Sequence, residues 1–334
     1  MEKLKDKVYG CLYGVAIGDA MGMPTTFYTP SEIRKKFGFV EEFLDAPLGH
    51  PIHNEYVAGQ VTDDTELTVI VANTIIEDKE VNSQSIARGI LKWAIERNAF
   101  ESQTLGPSTS RALKSIMEGR DIVEAGKLGT TNGASMRISP VAIFNTWSLY
   151  EKIVEDVEKA CIPTHGTNIA ISAASAVACA IVEGLRGNTE IDQVIEAARQ
   201  GARLGSTRGF PYPAASVEKR IELALEIIGK SEGGFKAALA LYDYIGAGVE
   251  SNEAVPTALG LFYIAKGDPM TAIKYAVNMG GDADTIASIT GAICGAFKGI
   301  KAFPNNFIEK IEEVNKLNLT KIADRIIETA RGRA

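Results

Sequence analysis

The chain has 334 residues, of which 46% are hydrophobic and 23% charged, and its formal net charge is −7. This composition is typical of a globular protein with a large core and excludes disordered and collagen-like chains. Basic residues are scattered, with the densest cluster at residues 34–36, which disfavours a nucleic-acid-binding surface. Because the sequence shows no linker-like or low-complexity segment, we expect residues 1–334 to form a single domain.

The first predicted element is a helix near the N-terminus. Gly10, Gly14 and Gly18 recur every four residues, so they form one smooth helix face that allows close packing against a neighbour. Asp19 interrupts the surrounding apolar run, which disfavours a signal peptide. The cysteines lie far apart without a C-x-x-C motif, as expected of reduced core residues in a cytoplasmic protein: Cys11, Cys161, Cys179 and Cys294.

Later segments also show helical periodicity, and β-alternation is hard to find. Apolar residues follow helical spacing at Leu67, Ile70, Val71 and Ile75, and again at Ile221, Leu225 and Ile228. Prolines are expected between helices or at their starts: Pro30, Pro107, Pro140, Pro163, Pro213, Pro256, Pro269 and Pro304. The longest uncharged segment, residues 168–182, is too short to span a bilayer and predicts a buried helix rather than a membrane partner. These patterns predict an all-α bundle of many helices.

Two acidic clusters precede apolar helices. In "VTDDTELT", Thr62 is expected to cap a helix whose first turn contains Asp63 and Asp64, where the helix dipole favours negative charge. Capping alone explains this cluster as well as a metal site does. The second cluster, "GGDADT", contains Asp282 and Asp284, and two such clusters can face each other. Four carboxylates with threonine hydroxyls suit Mg²⁺ or Mn²⁺, and two ions would neutralise their repulsion.

Two further motifs carry polar side chains. The segment "KLGTTNGASMR" contains a polar loop at residues 129–133 that offers backbone N–H groups to a phosphate, with an ordinary turn as the alternative. In "PTHGT", His165 precedes a helix that Thr164 or Thr167 is expected to cap, and a structural role for the histidine is the alternative. His50 and His53 have no further Cys or His nearby, which disfavours a zinc site.

Taken in order, these motifs resemble the ADP-ribosylglycohydrolase family, which includes the dinitrogenase-reductase-activating glycohydrolases. The resemblance covers about residues 5–300 and is carried by "GCLYGVAIGDAMG", "VTDDTELT", "GTTNGASMR", "PTHG" and "GGDADTIASITGAICGA". It implies a large all-α orthogonal multi-helix bundle with a dinuclear Mg²⁺ or Mn²⁺ centre in a cleft. By this resemblance, the metal ligands would be Thr62, Asp63, Asp64, Asp282, Asp284 and Thr285. The substrate-binding residues along the ADP-ribose and in the cleft would be Gly129, Thr130, Thr131, Asn132, Gly133, Met136, Arg137 and His165.

The implied reaction is metal-dependent hydrolysis of the N- or O-glycosidic bond at ribose C1. The substrate would be an ADP-ribosylated protein or a small ADP-ribosyl or ribosyl compound, and the transition state resembles an oxocarbenium ion. A carboxylate must take the proton of the attacking water, and Asp63 and Asp64 are the candidate catalytic residues. The sequence does not assign which of the two is the base.

One position departs from the family pattern. Many members carry a glutamate four residues after the last glycine of "GDAxG", where this chain has Thr26. A threonine cannot act as a carboxylate base. Two alternatives stay open beside the hydrolase. Thr26 supports a catalytically silent ADP-ribose-binding module that keeps the metals, and the ligand set alone would permit a two-metal phosphohydrolase.

Overall fold

The structure is a computed structural model that describes residues 1–101, 104–187 and 189–332. These residues form eighteen α-helices, two short 3₁₀-helices and isolated β-bridges, and no named strand occurs among them. The predicted all-α class is therefore confirmed. The α-helices in chain order are α1 (Glu2–Gly22), α2 (Pro30–Phe37), α3 (Asp63–Asp78), α4 (Ser83–Glu96), α5 (Pro107–Met117), α6 (Ile122–Gly126), α7 (Gly133–Met136), α8 (Ser139–Phe144), α9 (Tyr150–His165), α10 (Asn168–Arg186), α11 (Ile191–Gly205), α12 (Val217–Lys230), α13 (Gly234–Tyr244), α14 (Ser251–Ile264), α15 (Pro269–Met279), α16 (Ala283–Lys298), α17 (Asn305–Asn315) and α18 (Leu319–Arg331).

The glycine face of α1 packs along α16, as the four-residue spacing predicted. A Cβ atom at Gly14 would overlap the backbone of Gly291, so the two helices approach more closely than residues with side chains would allow. At the end of the same row, Gly22 lies against the backbone of Asp284. The close packing therefore fixes the start of α16 beside the end of α1.

The helix α10 lies within the bundle, where it packs against α9, α11 and α16. Among the described residues it is the one helix long and apolar enough to cross a membrane by length and composition, and 89% of its apolar window is buried inside the structure. The prediction of a buried helix at residues 168–182 is therefore confirmed. Buried apolar residues throughout the bundle belong to one continuous core.

Two prolines do not follow the prediction that prolines lie between helices or at their starts. Pro163 lies inside α9 and Pro256 lies inside α14. A proline inside a helix leaves the carbonyl four residues earlier without its usual N–H donor. The Ser83 hydroxyl donates to the carbonyl freed by Pro163 at 2.7 Å, and the Arg220 guanidinium donates to the carbonyl freed by Pro256 at 2.9 Å. The helices continue because side chains from other elements replace the missing donors.

The N-terminal ends of α3, α7 and α16 lie close to one another, because these three helices pack together. The two acidic clusters begin α3 and α16, and the polar loop at residues 129–133 leads into α7. The fold thus brings together three segments that are far apart in the sequence, and their junction contains the candidate site.

Candidate active site

The first acidic cluster lies at the N-terminus of α3, as predicted. Thr62 is the N-cap residue, and its hydroxyl accepts a hydrogen bond from the Asp64 N–H at 3.3 Å. Because Thr62 caps the helix, the carboxylates of Asp63 and Asp64 are not needed for capping. Asp64 Oδ2 lies 3.4 Å from the Thr62 hydroxyl and accepts a hydrogen bond from the Thr285 hydroxyl at 3.2 Å. This oxygen therefore joins the starts of α3 and α16.

Asp19 of α1 supports the start of α3. Its carboxylate accepts hydrogen bonds from the Thr62 N–H at 2.9 Å, the Thr65 N–H at 3.1 Å and the Thr65 hydroxyl at 2.5 Å. Burial raises the pKa of Asp19 to about 7. This contact was not predicted from the sequence, in which Asp19 was interpreted only as an interruption of an apolar run. The sequence did contain a signal for this contact: Asp19 lies inside a glycine-rich apolar helix, and a buried carboxylate requires hydrogen-bond partners.

The second acidic cluster lies at the N-terminus of α16, again as predicted. Asp282 is the N-cap residue, and its carboxylate accepts a hydrogen bond from Asn132 Nδ2 at 2.5 Å. Asp284 lies in the first turn, and its N–H donates to the Thr26 hydroxyl at 3.0 Å. The second cluster is thus tied both to the polar loop before α7 and to the segment that follows α1.

A cavity of about 120 Å³ lies between the two acidic helix starts. The predicted site residues that line it are Asp63, Asp64, Thr131, Asn132, Gly133, Met136, Asp282, Asp284 and Thr285. The predicted residues outside the lining are Thr62, Gly129, Thr130, Arg137 and His165. The cavity also has an apolar side, formed by Phe27, Ile52, Leu105, Pro107 and Val249.

Arg137 and His165 lie behind the cavity wall. Arg137 is 1% exposed and donates to the Gly133 carbonyl at 3.0 Å and to the Thr164 hydroxyl at 2.7 Å. His165 Nε2 lies 3.0 Å from the Thr131 hydroxyl, and Nδ1 lies 2.7 Å from the Thr164 hydroxyl. Burial, followed by the nearby Arg137, lowers the pKa of His165 well below its usual value, so the ring is neutral. These residues support Thr131 and Gly133, and their direct contact with substrate stays a prediction.

The loop at residues 129–133 uses part of its backbone for its own structure. The Asn132 N–H donates to the Val249 carbonyl at 2.9 Å, and the Gly129 N–H donates to the Gly126 carbonyl at 3.0 Å. A phosphate would therefore depend on the remaining N–H groups of the loop and on side-chain donors. Phosphate binding by this loop stays a prediction.

His53 lines the cavity, although the sequence analysis did not include it in the site. Its Nε2 lies 3.0 Å from Asp284 Oδ2, a partner 231 positions away, so no local pattern could reveal the contact. Burial is the largest single influence and lowers the pKa of His53, but Asp284 together with Asp63 and Asp19 raises it, and the net effect is a rise. Thr26, also in the lining, is 1% exposed, and its hydroxyl donates to the Gly22 carbonyl at 3.2 Å.

The cavity contains an excess of buried negative charge. Burial, followed by repulsion from neighbouring carboxylates, raises the pKa of Asp63 to about 8 and that of Asp282 to about 7, and it raises the pKa of Asp64 well above its usual value. Asp284 differs: burial is the largest single influence and raises its pKa, but His53 together with Thr26 and the Thr285 N–H gives a net lowering. Within the described ranges, His53 is the one basic side chain that forms an ion pair with these four acids.

The donor chemistry of this cluster suits a divalent cation. Asp64 Oδ1 is buried and has no hydrogen-bond partner among the described residues. Asp64 Oδ2 lies 3.4 Å and 3.2 Å from the hydroxyls of Thr62 and Thr285. In an octahedral site with metal–oxygen bonds of about 2.1 Å, neighbouring ligand oxygens lie about 3.0 Å apart, and the two observed separations are close to this distance. Within residues 1–101, 104–187 and 189–332, no three Asp, Glu, His or Cys side chains form a group that could hold an ion, so the candidate ligand set depends on threonine hydroxyls as well.

Comparisons with known proteins agree with the motif resemblance. The family model for ADP-ribosylglycohydrolase matches residues 1–334. The uncharacterized protein YegU of Escherichia coli K12 is 32% identical over 319 residues, which cover 95% of each chain. The ADP-ribosylarginine hydrolase Tri1 of Pseudomonas putida is 25% identical, with 98% of this chain and 80% of Tri1 aligned. A solved structure named ADP-ribosylglycohydrolase-related protein complex shares the fold, with a TM-score of 0.74 at 22% identity over 99% of this chain and 100% of the other. The chain therefore belongs to the ADP-ribosylglycohydrolase family.

Proposed function

We propose that the protein is a cation-dependent hydrolase of the glycosidic bond at ribose C1. Its substrate would be an ADP-ribosylated protein or a small ADP-ribosyl compound, with an N- or O-linked leaving group. The proposal depends on one observation: residues at the starts of α3 and α16 and residues of the loop before α7 line the same cavity. Family membership and the similarity to Tri1 support the ADP-ribosyl class of substrate.

The acidic helix starts would hold one or two Mg²⁺ or Mn²⁺ ions. The ligands would come from Thr62, Asp63, Asp64, Asp282, Asp284 and Thr285. When bound, such a cation orients ribose hydroxyls and water and stabilises negative charge that develops on oxygen. The buried Asp64 Oδ1 without a hydrogen-bond partner supports this assignment, because an unpaired buried carboxylate oxygen is costly.

Asp63 is the better candidate for the general base. Asp64 is fixed by the hydroxyls near its Oδ2, whereas no described residue donates a hydrogen bond to the Asp63 carboxylate. Asp63 also lines the cavity, and its raised pKa favours proton transfer near neutral pH. The attacking water would give its proton to Asp63 while its oxygen bonds to ribose C1. The bond from C1 to the leaving group breaks, and the leaving group takes up a proton.

The remaining wall would orient the substrate. Thr131, Asn132 and Gly133 line the cavity beside the acids, and the neutral His165 and the buried Arg137 support this segment from outside the lining. Supporting residues of this kind keep binding groups in one geometry, which lowers the cost of ordering them when substrate binds. The apolar side of the cavity would exclude water other than the attacking molecule.

Product analysis by mass spectrometry tests the proposal. The purified protein is incubated with Mg²⁺ or Mn²⁺ and a panel of N-linked and O-linked ADP-ribosyl peptides, ADP-ribosyl small molecules and nucleosides. We expect release of ADP-ribose that a chelator abolishes and that Asp63→Asn strongly reduces. Asp78→Asn, at the exposed end of the same helix, is the matched control.

Other outcomes would identify the alternatives. Binding of ADP-ribose without turnover of any panel member would indicate a silent binding module. Release of inorganic phosphate from a phosphoester would indicate a phosphohydrolase. Either result would overturn the proposed glycosidase activity.

A further inference from the structure

His53 lies in the cavity with one nitrogen directed at a candidate metal ligand. The residue is 3% exposed, and Nε2 lies 3.0 Å from Asp284 Oδ2. This separation fits a hydrogen bond, and it equally fits two neighbouring ligands of one octahedral cation, for which we calculate about 3.0 Å from bonds of about 2.1 Å. The other ring nitrogen, Nδ1, is buried without a hydrogen-bond partner among the described residues.

The loop that carries His53 is anchored at Thr26, which follows α1. The His53 N–H donates to His50 Nδ1 at 3.0 Å, and His50 Nε2 lies 3.1 Å from the Thr26 carbonyl. The two imidazole rings stack with their centroids 5.2 Å apart. The short Thr26 side chain uses its hydroxyl on the backbone of Asp284 and Gly22, so it offers no carboxylate to a cation. The imidazole of His53 reaches Asp284 instead.

We propose that His53 is a direct ligand of the cation bound at Asp284, which makes the site selective for Mn²⁺ over Mg²⁺. The inference rests on the cation dependence proposed above and deepens it by naming a nitrogen ligand. Imidazole binds transition-series ions well, whereas Mg²⁺ prefers oxygen ligands and retains its waters. A cavity with oxygen ligands alone would lack this source of discrimination.

The competing role for His53 is that of a positioning residue. In that role Nε2–H donates a hydrogen bond to Asp284, which alone touches the cation. Both roles predict weaker cation binding when His53 is replaced. They differ in whether a nitrogen atom contacts the ion, so the deciding measurement must detect that nitrogen.

Pulsed electron paramagnetic resonance of bound Mn²⁺ makes this distinction, because a directly bound imidazole nitrogen modulates the electron spin echo. We expect ¹⁴N modulation from a histidine in the wild-type protein and in His50→Gln, and its loss in His53→Gln. His50→Gln is the comparison variant, since it keeps the His53 imidazole and the carboxylates while the glutamine side-chain oxygen can still accept the His53 N–H in place of His50 Nδ1. Calorimetric titrations should show that His53→Gln weakens Mn²⁺ binding by about tenfold or more and Mg²⁺ binding by less.

The spectrum of the wild-type protein alone can overturn the inference, even if a variant fails to fold. Bound Mn²⁺ without directly coupled nitrogen would show that His53 is not a ligand and would leave the proposed cation-dependent hydrolase intact. Equal loss of Mn²⁺ and Mg²⁺ affinity in His53→Gln would also contradict it. If calorimetry detects no Mn²⁺ or Mg²⁺ binding to the wild-type protein, both the inference and the proposed cation dependence fail.

Discussion

Two groups of buried carboxylates in this protein have opposite electrostatic surroundings. Asp156 of α9 is buried, as are Asp64, Asp282 and Asp284 of the cavity. It accepts hydrogen bonds from Lys152 at 2.9 Å, Lys159 at 3.1 Å and Asn145 at 3.2 Å. Burial alone would raise the pKa of Asp156, yet these partners lower it below its usual value. In the cavity, burial and mutual repulsion raise the pKa values of Asp63 and Asp282.

The difference separates a structural acid from candidate functional acids. The chain supplies its own counter-charges for Asp156, so that carboxylate is compensated once the protein folds. For the cavity acids, the described part of the chain supplies only His53 as a basic partner. Such acids are costly unless they bind protons or a cation from solution, and strongly shifted pKa values of this kind are typical of functional sites.

The largest effect should come from removing two of the uncompensated acids together. Asp282→Asn/Asp284→Asn should abolish tight Mg²⁺ or Mn²⁺ binding in a calorimetric titration, because it removes two charged ligands from α16. Asp156→Asn is the control and should bind the cation normally, since Asp156 has partners of its own. If the double variant binds the same number of cations per chain as the wild type, the ligand assignment is wrong.

Within the cavity, the two adjacent acids of α3 should also differ from each other. At saturating cation, Asp63→Asn should lower the single-turnover rate by about two to four orders of magnitude, as expected for loss of a general base. Asp64→Asn should weaken cation binding, because Asp64 Oδ2 lies between two threonine hydroxyls. If Asp63→Asn stays fully active, the base assignment is wrong.

The two groups should give opposite dependences of stability on pH. For an acid with a raised native pKa, the native state binds more protons than the unfolded chain, so stability falls as pH rises from the usual value near 4 to the native value. For the cavity acids this range extends to about 7 for Asp282 and about 8 for Asp63. Urea unfolding across this range, with a chelator present, should show the fall, and saturating Mn²⁺ should reduce it. If the free energy of unfolding rises across the same pH range without cation, the cavity acids do not have raised pKa values in the native state.

The smallest effect should come from the compensated acid. Asp156→Asn should lower the free energy of unfolding at neutral pH by about 1–3 kcal/mol, because charge-assisted hydrogen bonds from Lys152 and Lys159 are lost. The pKa of Asp156 is lowered on folding, so its contribution is present above the usual value near 4 and is lost as pH falls through the native value. The difference between wild type and variant, measured by urea unfolding, should therefore shrink in acid. A constant difference at all pH values would show that the charge does not matter.

The sequence by itself determined the helices and the residues at their ends. Helical spacing, the row from Gly10 to Gly18, the capping signal at Thr62 and the acidic cluster "GGDADT" predicted the all-α class and the acidic helix starts, and the structure has these features. These signals are local, because capping and helix periodicity depend on residues within about four positions of one another.

Only the tertiary structure decided which polar groups meet and which carry their own counter-charge. The contact between His53 and Asp284, the support of α3 by Asp19, and the burial of Arg137 and His165 behind the cavity all join distant segments. Such contacts leave no repeating pattern in the sequence, because they depend on how distant helices pack against one another in the whole bundle. The pKa of a carboxylate depends on these partners and on its burial. Local sequence signals placed the acids at helix starts, and packing gave them His53 as their one basic partner among the described residues.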